Sequence, residues 1–178
     1  MKKAILLLFL LFSLLSFAQT DEPLKISEVV KVSDSTSTAK QLYSRSKIWF
    51  TKVFNNPKYV IQLDDPDNNM VMGRGLFNFS SKIFMGGQGR AGHIKFDVTV
   101  SAKDGRYKYE FTNFTHEKAG LITESEIVPG WNEWITGSET FRKKISKELK
   151  DYIDTEISKM VITLKAEMDK GKTANDDW

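Results

Sequence analysis

His93 and His116 are the only imidazoles in the chain, and they stand at the two feet of a single predicted hairpin. Imidazole titrates near neutrality and ligates metals through its neutral ring nitrogens, so such a pair suits proton transfer or a metal-dependent hydrolase. If pairing about Asp104-Gly105 runs uninterrupted, His93 meets His116 on the hydrophilic side, with Lys95 and Asp97 nearby on the same strand. Directly opposed side chains lie about 5 Å apart at Cβ. Two ligands alone make a weak metal site, and so long a ladder seldom escapes a bulge. Two solvated histidines at a sheet edge are therefore the favoured expectation.

Other chemical patterns weaken when their context is read. Gly87-Gln88-Gly89-Arg90-Ala91-Gly92 matches the dinucleotide fingerprint letter for letter. That fingerprint needs a helix after it to meet the phosphate, and here a strand follows. Asp65, Asp67 and Asn69 open like a calcium loop, yet Met70 replaces the required glycine and Leu76 the bidentate glutamate. A polar hairpin turn is the better account. Trp131 and Trp134, with Asn132 and Glu133 between them, have the composition of a sugar-stacking loop, although such rings more often pin a loop to its domain. Asn78-Phe79-Ser80 and Asn113-Phe114-Thr115 read as glycosylation sequons but fall in or beside predicted strands. With no cysteine and no assembled Ser-His-Asp set, a non-catalytic protein without cofactor or metal is expected.

The elements that must position these residues follow from periodicity. Ile26 to Val32 alternates as a strand. Thr38 and Gln41 have capping-box spacing, and Leu42, Trp49, Phe50, Val53 and Phe54 then recur with helical period until Asn56-Pro57 ends the helix. Tyr59 to Leu63 and Met70 to Phe79 read as strands about a turn at 64–69, and Ser80 to Gly92 as a glycine-rich loop. Ile94, Phe96, Val98 and Val100 alternate with polar residues, as do Tyr107, Tyr109 and Phe111, about the Asp104-Gly105 turn. That register sets Val100 against Tyr109, Val98 against Phe111, Thr99 against Glu110 and Asp97 against Thr112, sorting apolar and polar residues onto opposite faces. After a long connection (117–137), Phe141 to Met168 keeps helical spacing, with Thr136 and Glu139 as a possible capping box and 169–178 as a frayed tail.

Compartment is read from the first residues. Lys2 and Lys3, the apolar run Ala4 to Leu15 and the small residues of Ser16-Phe17-Ala18 predict a cleavable signal peptide spanning 1–18. Residues 19–168 are then one α+β domain of a periplasmic or secreted protein. Lys2 and Lys3 are two of 26 basic residues set against 23 acidic ones, so the cleaved chain carries +1. That balance offers no argument for nucleic acid, and no later segment is long and apolar enough to span a bilayer.

The order strand, helix, four strands, helix is that of half a TATA-binding-protein fold. Gln41-Leu42-Tyr43, Trp49-Phe50, Val60-Ile61-Gln62, Gly73-Arg74-Gly75 and Lys103-Asp104-Gly105-Arg106-Tyr107-Lys108-Tyr109 together resemble an exported bacterial family of unknown function with that fold. The resemblance covers about residues 26 to 116. It implies α+β β-α-β4-α architecture, an antiparallel sheet with two helices on one face, and export, and it carries over no activity or catalytic residues. The other face is expected to be open and polar, carrying His93, Lys95, Asp97, Thr99, Ser101, Lys108, Glu110 and Thr112. Three functions follow as expectations. The first is a binding or scaffolding module for an envelope protein or glycan, through this face or the Trp131–Trp134 loop. The second is a carrier of a small apolar ligand or a homodimer through the C-terminal helix, because Ile157, Val161, Leu164 and Met168 outrun the sheet. The third is a hydrolase built on the histidine pair.

Overall fold

Among residues 23–83, 91–118, 124–126 and 138–171, which the computed structural model describes, the elements are as follows in chain order. They are β1 (Ile26–Lys31), α1 (Ala39–Val53), α2 (Pro57–Val60), β2 (Ile61–Asp65), β3 (Met70–Phe79), β4 (Gly92–Lys103), β5 (Arg106–Lys118), β6 (Glu124–Glu126) and α3 (Glu139–Met168). The strands lie in the order β1-β5-β4-β3-β2, with every neighbouring pair antiparallel. β6 pairs with the base of β5, beyond the stretch that β1 occupies.

The β4–β5 hairpin turns at Asp104-Gly105, where Gly105 takes φ +68°. This left-handed conformation costs glycine nothing and any side chain a clash. From Lys103 opposite Arg106 to Asp97 opposite Thr112 the rungs are those the turn dictates. Ile94, Phe96, Val98, Val100, Tyr107, Tyr109 and Phe111 are all buried under the helices.

Helix α1 starts on a full capping box. Thr38 Oγ1 accepts the Gln41 amide at 3.3 Å, and Gln41 Oε1 accepts the Thr38 amide at 2.8 Å. Its buried residues Leu42, Trp49 and Phe50 share one stripe against the sheet. The strand expected over Tyr59 to Leu63 starts only at Ile61, because residues 57–60 form the single helical turn α2. Pro57 stands at its first position, where a missing N–H is harmless, and the Asn56 carbonyl accepts the Tyr59 and Val60 amides.

The thirty-residue helix α3 has the length its periodicity predicts. Its N-cap is Ser138, whose hydroxyl accepts the Phe141 amide at 3.3 Å; Thr136 lies outside the described residues. The expectation that the distal half of this helix needs outside cover is overturned. Ile157, Leu164 and Met168 are buried and Val161 packs against the same core. Cover comes from α1, which is tied to α3 by Trp49 Nε1 donating to Thr163 Oγ1 (3.0 Å) and Arg45 donating to the Met168 carbonyl (2.7 Å). The frayed tail is also corrected at its start: Asp169 Oδ1 accepts the Ser33 amide at 2.9 Å and so fastens the end of α3 to the segment after β1.

Candidate functional site: the uncovered sheet face

The sheet face opposite α1 and α3 is built by alternation. In β4 the residues His93, Lys95, Asp97, Thr99, Ser101 and Lys103 turn away from the helices; in β5 the matching set is Arg106, Lys108, Glu110 and Thr112. In β1 it is Ser27, Val29 and Lys31.

Below Thr112 the alternation breaks. Asp97 pairs with Thr112, but the next rung pairs Lys95 with Thr115, so Asn113 and Phe114 together oppose Phe96. Asn113 absorbs the extra residue at φ +54°, a conformation that asparagine tolerates better than most side chains. The consequence is a correction. His93 faces Glu117, while His116 faces Ile94 and is turned under the helices at 2% exposure. One added residue moves every later side chain to the opposite face, so the histidines cannot share a metal or a proton. His93 stays at the surface, with Nδ1 2.9 Å from Asn78 Oδ1.

Asp97 lies on the outer face yet is only 6% exposed, which corrects its assignment to a free docking surface. Arg74 Nε donates to Asp97 Oδ1 and Asn113 Nδ2 to Oδ2, each at 2.8 Å. Burial pushes this carboxyl's pKa up. The bonds from Arg74 and Asn113 and the charge of Arg74 outweigh that, and hold it below the usual carboxylate range. Further along, Glu110 is bridged by Lys25 at 2.6 Å and Lys108 at 2.9 Å, and Lys25 in particular draws its pKa down. Lys95 reaches Glu117 at 3.2 Å, and Thr99 stands between Glu110 and Met72.

The face is less polar than expected. Val29 is 60% exposed, Leu76 57% and Leu63 40%. Leu63 shares a rung with Met72. At the hairpin end, Lys31, Arg106 and Lys103 occupy one rung across β1, β5 and β4. Beside them is a depression of about 360 Å³ lined by Val29, Ser101, Lys103, Arg106, Tyr107 and Lys108. Sequence reasoning found Lys108 but not this row. The partner of β5 at Lys31 is remote in the chain, and no turn sets that register. Trp131 and Trp134 lie outside the described residues, as does most of the glycine-rich loop.

Among the described residues no three His, Asp or Glu side chains gather as a metal site, and no helix is long and apolar enough to cross a membrane. The turn at 66–69 that begins with Asp-rich sequence is a hairpin connection, in which Asp65 Oδ1 accepts the Asn68 amide at 3.0 Å.

Comparison with known proteins agrees with this architecture. Residues 27–117 match a family described as a domain of unknown function (DUF4468) with TBP-like fold. A crystal structure of a DUF4468 family protein from Bacteroides ovatus is similar with a TM-score of 0.56 and 14% identity, over 85% of this chain and 89% of that one. A TBP-like protein from Parabacteroides distasonis is similar with a TM-score of 0.57 and 9% identity, over 83% of this chain and 95% of that one. At these identities the likeness carries the fold alone. No curated protein matches.

Proposed function

Since the chain belongs to the DUF4468 family of domains of unknown function with TBP-like fold, we propose that it acts as an exported, non-catalytic binding module. Its uncovered sheet face docks a protein partner of the cell envelope. The observation that carries this reading is the mixed character of that face. Exposed Val29, Leu63 and Leu76 lie among Lys95, Lys108, Glu110 and the Lys31–Arg106–Lys103 row, and no described element covers them. Exposed apolar side chains set among charged ones offer a partner both contact area and polar anchoring. Export rests on the leader features of residues 1–18. A nucleic-acid role has no support in the nearly balanced charge of the cleaved chain.

The other two expectations are weaker. The hydrolase needed two opposed histidines, and the bulge separates them. The carrier and the helix-mediated homodimer rested on Ile157, Val161, Leu164 and Met168, and those four residues pack into the core within the chain.

The test is crosslinking in envelope preparations of the native organism, comparing the wild type with Lys95→Glu and Lys108→Glu on the face and Lys159→Glu on the outside of α3. Loss of one crosslinked partner in the two face variants alone supports the module. An unchanged pattern in all three sinks it. The intact mass of the recovered protein reads export directly, with a chain beginning at Gln19 as the expected result.

A further inference from the structure

The hairpin end of the outer face holds an arrangement that works against folding. Lys31, Arg106 and Lys103 are directly opposed on three neighbouring strands, and like charges so placed destabilise a sheet. Among the described residues none of the three has an ion pair. The nearby carboxylates are committed elsewhere. Asp104 Oδ1 accepts the Ala39 amide at 2.7 Å at the start of α1. Glu28 is held on the helix side by the Tyr109 hydroxyl (2.6 Å) and Lys165 (2.8 Å). Glu110, two residues beyond Lys108 on the same strand, is shared by Lys25 and Lys108. All three cations are exposed, and the depression beside them leads to Val29.

Building on the binding-module reading, we infer that the Lys31–Arg106–Lys103 row and the depression at Val29 seat an acidic segment of a protein partner, extended across the strands. At about 4.8 Å per strand the row spans roughly 10 Å, while carboxylates two residues apart on an extended chain stand about 7 Å apart. Two such carboxylates fall within reach of three cations, and a neighbouring apolar side chain covers Val29. The charge-assisted bonds so formed offset the repulsion within the row. The adjoining depression, with Val29 in its wall, favours a side-chain-bearing segment over a flat anionic bilayer, which would meet the cations but leave the depression unfilled.

The experiment uses the full chain and a short fluorescent peptide of Glu and Leu, with its Gln-for-Glu counterpart as control. The acidic peptide is expected to bind and the Gln peptide not to, with affinity falling as salt rises. The double variant Lys31→Gln, Arg106→Gln is expected to weaken binding at least about tenfold while its Tm holds or rises, because removing opposed like charges relieves the sheet. Val29→Ser is expected to weaken binding without changing its salt dependence. Equal binding of both peptides, a double variant that binds normally, or one whose Tm falls would each overturn the inference. So would binding to phosphatidylglycerol vesicles with none to the acidic peptide, which would make the row a membrane contact. Envelope crosslinks lost in Lys95→Glu despite failure of the peptide would leave the module standing and remove only this seat.

Discussion

The ring of His116 meets Phe79 edge-on, with centroids 5.7 Å apart and planes at 87°, inside the layer between sheet and helices. It stands there because Asn113 holds one surplus residue in β5, with its backbone in the left-handed region and its amide bound to Asp97. Asn113 is therefore the residue that sets the face of everything after it.

Replacing Asn113 separates backbone from side chain. Asn113→Val places a β-branched residue at positive φ and removes the bond to Asp97, for an expected loss of about 2–4 kcal/mol. Asn113→Gly suits the backbone and loses only the bond, so about 1 kcal/mol is expected. Urea unfolding of the two variants checks the order, and equal losses would show that the bulge backbone carries no strain.

Gly73 permits α1 to sit close on β3. A Cβ there would lie 2.6 Å from Phe50 Cε1, and Phe50 is fully buried and stacked on Phe54. Gly73→Ala is expected to cost about 1–3 kcal/mol through overpacking. Thermal unfolding reads this, and an unchanged Tm would mean that the helix can lift at no cost.

Asp97 makes a definite pH prediction. Its folded pKa is depressed below the unfolded value of about 3.9, so its contribution is present above that value and is lost as pH falls through the lower folded one. The wild type should thus exceed Asp97→Asn in stability at neutral pH, and the gap should close progressively as pH falls below about 4. Denaturant melts at stepped pH test this. A gap that persisted at the acid end would mean that the carboxylate form contributes nothing.

The contact between Asp169 and the Ser33 amide holds the end of α3 to the start of the β1–α1 connection. Asp169→Ala is expected to cost about 0.5–1.5 kcal/mol, with faster hydrogen exchange at the Ser33 amide as its local signature. Unaltered exchange at Ser33 would show that water serves that amide equally well.

Much of the architecture is legible before any coordinates. Asp104-Gly105 forces one turn, alternation on both sides forces one register, and Thr38 with Gln41 and Asn56-Pro57 bracket α1. The bulge carried a usable signal. The apolar residues step by two through Tyr107, Tyr109 and Phe111, then by three to Phe114, and that odd step marks the change of face. The candidate face was read from β4 and β5 alone, so Val29 and Lys31 from β1 and Leu63 from β2 were missed.

Local chemistry along the chain was enough to dictate the hairpin, the caps and the apolar stripes, because those depend on neighbours a few residues apart. Which cations share a rung, and whether the distal half of α3 is bare, depended on pairing between segments far apart in the chain. Lys31 lies opposite Arg106, and Trp49 bonds Thr163, through packing choices that no short-range pattern encodes. The proposed binding surface belongs to that second kind, since it exists only where β1, β5 and β4 lie side by side.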